Sequence, residues 1–225
     1  MVKFKIVTGS VLALSLILVG VGVGLQKNIS SRIVSRVHHE LPKASRVSAS
    51  VPLTQIPSDI ASDVIKSVEV NIGQYSLKGS TLKPSLKINA VNVTKSQPTL
   101  IGTLDVTATI PTSTITALAG FKNAEIIGDA LQISVGQAGL GKALLIPKYS
   151  NDQLYFQLKS VSILGNQIPT SSLPSNIQDQ IKSKSTRNLT FPKGLSETSV
   201  SLNPRGLSIR LHGSNVQLGK IGQTL

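Results

Sequence analysis

A curved, antiparallel, sheet-dominated domain of the α+β class, set behind a membrane-spanning segment, is the architecture this sequence predicts. Three observations predict it. From Arg46 onward apolar residues recur mainly at every second position, the period of a strand with one buried face. Stretches with a helical period are few and short. Near the start, Ile6–Leu25 is a run of twenty residues without a charge, which as a helix is about 30 Å long and matches a bilayer's hydrocarbon core.

Residues 1–27 are expected to form a membrane anchor or an export signal; because the run is longer than the apolar core of a secretory signal and ends in GVGVGLQKN with no A-x-A-like cleavage site, an uncleaved single-pass anchor is favoured. Lys3 and Lys5 precede it and Lys27, Arg32 and Arg36 follow it, so flanking charge does not set the orientation. A five-residue tail cannot house a domain. Everything downstream therefore lies on one side, and the expected location is the cell membrane with an extracytoplasmic domain.

Residues 28–45 come next. Ile29, Ile33, Val37 and Leu41 are spaced four apart, an apolar stripe on an amphipathic helix. Arg32 and Arg36 occupy other faces and are expected to lie against membrane head groups. His38 and His39 are adjacent, but neighbours on a helix point about 100° apart, and no Cys or carboxylate pattern accompanies them. No metal site is expected there.

One domain is expected over 46–225. Val68, Val70 and Ile72 alternate with polar partners, as do Leu104, Val106, Ala108 and Ile110; Leu154, Phe156 and Leu158; and Leu207, Ile209 and Leu211. The alternation changes phase between Leu86/Ile88 and Val91/Val93, and again between Leu158 and Val161/Ile163, which predicts bulges that curve the sheet. Asn203-Pro204-Arg205-Gly206 predicts a turn between an antiparallel pair. Three short helices are expected, carrying Ile56, Ile60 and Val64; Ile115, Leu118 and Ala119 after Pro111; and Leu173, Ile177 and Ile181 near Pro174. Each can cover the apolar side of a curved sheet. The third ends in Lys182, Lys184 and Arg187, where positive charge gathers toward the C-terminal third.

Gly136–Lys142 spells GQAGLGK, the outline of a phosphate-binding loop. Ala143 stands where a magnesium-binding Ser or Thr belongs, and Pro147 stops the following apolar run, so no helix can open there. A glycine-rich hairpin connection is expected instead.

The net charge is +13, from 23 Lys and Arg against 10 acids, which favours a polyanionic partner. Aromatic residues are 3% of the chain, with no Trp, which argues against base-stacking and so against nucleic acid. The absence of Cys excludes thiolate chemistry and disulfides. His212 is the one histidine beyond the juxtamembrane pair. No G-x-S-x-G or H-E-x-x-H motif accompanies it, so a non-catalytic protein without a cofactor is expected.

The C-terminal run FPKGLSETSVSLNPRGLSIRLHGSNVQL (Phe191–Leu218) resembles the closing pattern of the LmeA family of bacterial envelope phospholipid-binding proteins. SVSILGNQIPTSSL (Ser160–Leu173) is similar to that family's strand, G-x-x-I-P step and helix, and SASVPLTQIPSDI (Ser48–Ile60) to its early strand and Pro-Leu helix start. The glycine usual after the early helix is replaced around Val64–Ser67. The resemblance implies a TULIP-like half-barrel, a long curved antiparallel sheet wrapped around a helix, with an elongated apolar groove for acyl chains. Residues implied for the groove are Ile56, Ile60, Val64, Val70, Leu104, Val106, Leu118, Phe156, Ile177, Ile181, Leu207 and Ile209. Arg32, Arg36, Lys182, Lys184 and Arg187 are expected at head groups or the membrane. The expected function is binding or transfer of anionic phospholipid or glycolipid during envelope assembly, alongside envelope-assembly partner proteins. The alternative is a non-catalytic β-sandwich surface module binding a protein or an acidic polymer, whose strands bury their faces on each other.

Overall fold

A computed structural model describes residues 27–40, 44–52, 64–74, 85–94, 100–119, 124–135, 140–173, 175–189, 191 and 194–217. Among these residues there are three α-helices, α1 (Lys27–Glu40), α2 (Thr112–Ala119) and α3 (Ser175–Ser185). The strands are β1 (Ser45–Ser50), β2 (Val64–Gln74), β3 (Ser85–Thr94), β4 (Leu100–Ile110), β5 (Glu125–Ile127), β6 (Ala130–Val135), β7 (Gly141–Ser150), β8 (Gln153–Ile163), β9 (Asn166–Ile168), β10 (Arg187–Asn188), β11 (Ser196–Asn203) and β12 (Gly206–Gln217). They form two sheets, one ordered β1-β2-β3-β4-β12-β11, the other β10-β8-β7-β6-β5 with β9 also on β8. The pairs β1–β2, β2–β3, β5–β6, β6–β7, β7–β8, β8–β9 and β8–β10 are all antiparallel. The sheet-rich, antiparallel class expected from the period-two alternation is what the chain adopts.

Among the described residues no helix is long and apolar enough to cross a membrane. The expected anchor over Ile6–Leu25 lies outside the described residues. The chain divides into two compact units. The late unit holds Thr109–Thr190 and Ser199–Ile209; the early unit holds the described residues up to Ala108 with Phe191–Thr198 and Arg210 onward.

In the early unit, α1 packs on β1. Ile33 and Val37 are 1% and 0% exposed, so the middle of the stripe expected on a juxtamembrane helix is bound into the protein's own core, while the Ile29 side chain and Leu41 lie outside the described residues. Along β2 and β3 the inward residues change phase together. Ile65, Val68, Val70 and Ile72 are buried on β2, and Leu86, Ile88, Ala90 and Val93 on β3. Register is kept through the change, since Ile65 faces Val93 and Val68 faces Ala90. Each strand therefore carries one extra residue at the same level, and Asn92 takes φ 55° there, a left-handed conformation that asparagine tolerates better than most residues.

The next strand breaks at the same place. Ile101 and Leu104 on β4 are both fully buried, and a Cβ on the intervening Gly102 would stand 3.1 Å from Asn92 Cβ. On β12 the phase changes between Gly213 and Val216, with Asn215 at φ 53°. Asp105 and His212, 2.8 Å apart, lie two residues beyond Thr103 and two before Ser214. Gly206 meeting Ile110 shows the strands antiparallel. The phase break thus runs across β2, β3, β4 and β12 as one transverse line, the geometry that bends a sheet. The sequence places the β3 change at Val91/Val93. Observed burial corrects this, because Val91 points outward at 38% exposure and the inward phase passes from Ala90 to Val93.

In the late unit, β7 and β8 form the longest paired ribbon. Leu144 faces Ser160 while Leu145 faces Leu158, so Lys159 is an unopposed bulge residue, at the phase change expected from sequence. Val161 is buried as expected, whereas Ile163 is 45% exposed. Helix α3 covers the β8 edge between its short partners β10 and β9. There the Phe156 N–H donates to Ser185 Oγ at 3.0 Å, and that hydroxyl donates to Ile181 O at 2.7 Å, which satisfies an edge group that pairs with no strand among the described residues on that side.

The Asn203–Gly206 turn forms between β11 and β12 as expected. Arg205 N–H donates to Asn203 Oδ1 at 2.9 Å, and Gly206 has φ 135° with Ile110 O where a Cβ would stand, a position only glycine can fill. Of the expected helices, α2 and α3 form. Val64 opens β2 instead of closing a helix, and Leu173 lies in a bend before α3. Gly136–Gly139 is outside the described residues, but β6 and β7 pair from Val135 opposite Gly141. Lys142–Ile146 is strand, so no helix follows the GQAGLGK stretch, and the phosphate-loop reading fails for the reason the sequence suggested.

Candidate functional site

The residues expected along an acyl-chain groove fall into both units. In the early unit, Val70, Leu104 and Val106 are 1%, 0% and 2% exposed, and Val64 is half-buried at the start of β2. They project from the strands that share the transverse break. In the late unit, Phe156, Leu207 and Ile209 are 4%, 2% and 0% exposed, and Ile181 on α3 is half-buried. Leu118 and Ile177 lie on α2 and α3, their side chains outside the described set. Ile56 and Ile60 are outside the described residues altogether. The other strand residues of this set are thus already covered, and of the set's described side chains Val64 and Ile181 are the partly exposed ones.

Of the basic residues, Lys182 is exposed and its Nζ stands 4.8 Å above the Tyr155 ring, a cation–π contact. Arg187 is half-buried, and its Nη1 donates to Thr186 O at 2.7 Å. Lys184, Arg32 and Arg36 lie on α3 and α1, their side chains outside the described set. Lys182 and Arg187 are brought to one end of α3, where the helix's exposed carbonyls favour positive charge.

The outward face of the early unit carries the titratable contacts. Glu69 accepts from Asn71 Nδ2 at 2.8 Å and pairs with Lys87 at 3.4 Å. The Asn71 hydrogen bond, helped by Lys87 and opposed by slight burial, holds its carboxyl below the usual range. In the late unit Lys159, the bulge residue, reaches Asp129 at 2.8 Å, and that hydrogen bond lowers the Asp129 pKa.

Sequence alone left His212 with no partners. The structure brings Asp105 Oδ1 to 2.8 Å from its Nδ1 and Ser214 Oγ to 3.4 Å from its Nε2. The first is a firm cross-strand contact; the second exceeds the usual hydrogen-bond range. The His212 and Asp105 side chains are 42% and 54% exposed, so no apolar enclosure strengthens the charges as an acyl-transfer site needs. Among the described residues no three His, Asp or Glu side chains gather as metal ligands do.

One feature escaped the sequence reading. Leu140 and Leu164 are 59% and 72% exposed and meet at the end of the late unit's sheet, where Leu164 N–H donates to Leu140 O at 3.3 Å. The available signal was Leu-Gly where Asn-Gly is usual in a two-residue hairpin. No protein-family model matches this chain, nor does any curated protein or solved structure at a significant level.

Proposed function

We propose that the chain binds and carries anionic phospholipid or glycolipid on an apolar face of a curved sheet, at the outer side of a membrane to which its first segment anchors it. The observation that carries this reading is the transverse phase break, which keeps aliphatic side chains on one face of β2, β3, β4 and β12 and is the kind of irregularity that lets a sheet bend. A sheet bent toward its aliphatic face would suit flexible acyl chains, each sheltered CH₂ contributing about 0.8 kcal/mol. The surplus of 23 basic residues over 10 acids supports an anionic head group. The resemblance to the LmeA family, with its TULIP-like wrap around a helix, supports the same reading. Because the strand faces are covered, lipid and the covering elements compete for them, and lipid entry requires the cover to part.

Native mass spectrometry of the full chain extracted from its own membranes tests the proposal. Co-purifying phospholipid mass and a thermal midpoint raised by anionic phospholipid are the expected results. A lipid-free protein whose midpoint such lipid does not move refutes it. The second reading, a non-catalytic surface module binding a protein or an acidic polymer, draws on the presence of two sheets; that same lipid-free result, with a midpoint raised by an acidic polymer, favours it.

A further inference from the structure

The β7–β8 and β8–β9 hairpins close opposite ends of the late unit's sheet with turns of one type and contrasting chemistry. Ser150 pairs with Gln153 across Asn151-Asp152, whose φ values are 52° and 55°. Ile163 pairs with Asn166 across Leu164-Gly165, at 51° and 85°. Both are two-residue turns with left-handed central positions, where Asn, Asp and Gly are favoured. Asn151 and Asp152 obey that preference. Leu164 defies it, and pays a backbone cost that it does not recover by burial, since it is 72% exposed.

Its surroundings are apolar and cationic. Leu140, 59% exposed, is bonded to it through the backbone, and Ile163 is 45% exposed. Lys142 is exposed two residues along β7 and faces Ser162. From Ala130 through Gln178 the only acidic residue is Asp152, which lies in the opposite hairpin.

We propose that the Leu140–Leu164 end of this sheet is a membrane-contacting tip, whose leucines enter the interfacial layer of an anionic bilayer while Lys142 meets the phosphates. Three large, exposed apolar side chains at a hairpin end fit between lipid head groups. A lysine without acidic neighbours in its stretch of chain complements an anionic leaflet. The inference goes beyond lipid carriage and stands without it: a protein that purifies free of lipid can still dock this tip.

The chain has no Cys, so Asn166→Cys creates a single labelling site beside an intact Leu164, and Asn151→Cys one at the far hairpin. The full chain, labelled with an environment-sensitive fluorophore, is reconstituted into phosphatidylcholine vesicles with and without phosphatidylglycerol, each containing a doxyl-acyl quencher. The expected result is quenching at position 166 several-fold above that at 151, dependent on phosphatidylglycerol. Leu164→Asn, which suits the turn and keeps the hairpin, should abolish the difference with an unchanged circular dichroism spectrum. Lys142→Glu should remove the dependence on anionic lipid. Equal quenching at both positions, none at either, or quenching that survives Leu164→Asn overturns the proposal, and anionic dependence that survives Lys142→Glu overturns the part assigned to Lys142.

Discussion

The phase changes in the two units look alike along a single strand and differ across the ladder. In the early unit β2 and β3 each carry an extra residue at the same level, so Ile65 still faces Val93 and Val68 still faces Ala90. In the late unit only β8 carries one, Lys159, and the register with β7 slips there by one residue. A paired insertion moves the phase of two strands without sliding them, and the line can pass on to β4 and β12. A single insertion is absorbed locally and bends one ribbon. The first device shifts the phase of several strands together; the second adjusts one hairpin.

Three experiments probe that difference, from the largest effect to the smallest. Deleting Asn92 alone leaves the extra residue of β2 unmatched, and a cost of about 2–3 kcal/mol in urea denaturation is expected, at the upper end of ordinary core damage. Deleting Ser67 as well should restore much of it, because both strands then alternate without interruption. Additive losses in the double deletion show that the two extra residues are not coupled. Deleting Lys159 should cost less, about 1 kcal/mol, since Leu154, Phe156, Leu158 and Val161 then share one face opposite an unaltered β7. A larger loss than for Asn92 reverses the comparison.

The smallest effect concerns charge. Glu69 has a lowered pKa in the folded protein, so its contribution is present above its unfolded value and is lost as pH falls through the folded one. Its side chain is 39% exposed, and solvent screening keeps that contribution below about 1 kcal/mol. Acid titration of stability should therefore show only a shallow fall below pH ~4.5 from this group, largely abolished by Glu69→Gln. Asp129→Asn, which cuts the contact to the bulge residue, should leave the thermal midpoint unmoved. A drop of several degrees shows that the bulge is pinned by the ion pair and not by the backbone.

Much of the strand content was legible. Val68, Val70 and Ile72 alternate on β2, Leu104 through Ile110 on β4 and Leu207 through Leu211 on β12, and all are buried, because burial of one sheet face writes itself into the chain with a period of two. The Asn203–Gly206 turn was legible because left-handed backbone demands particular residues. Val64 was misplaced because Ile56, Ile60 and Val64 fit a helical period that a strand can also start from. Val91 was misplaced because Val91 and Val93, two apart, read as one alternating face, whereas Asn92 between them takes a left-handed backbone and separates their phases.

The partnership of Asp105 with His212, and the approach of Leu164 to Leu140, join residues far apart in the chain, and no local pattern encodes them. What the sequence by itself determined is the alternation, the turn chemistry, the cationic surplus and the long uncharged opening run, all properties that neighbouring residues express together. What only the tertiary structure decided is which strands share a break and which sheet end gathers exposed leucines. Those depend on register between strands, and register is settled by the whole buried face at once.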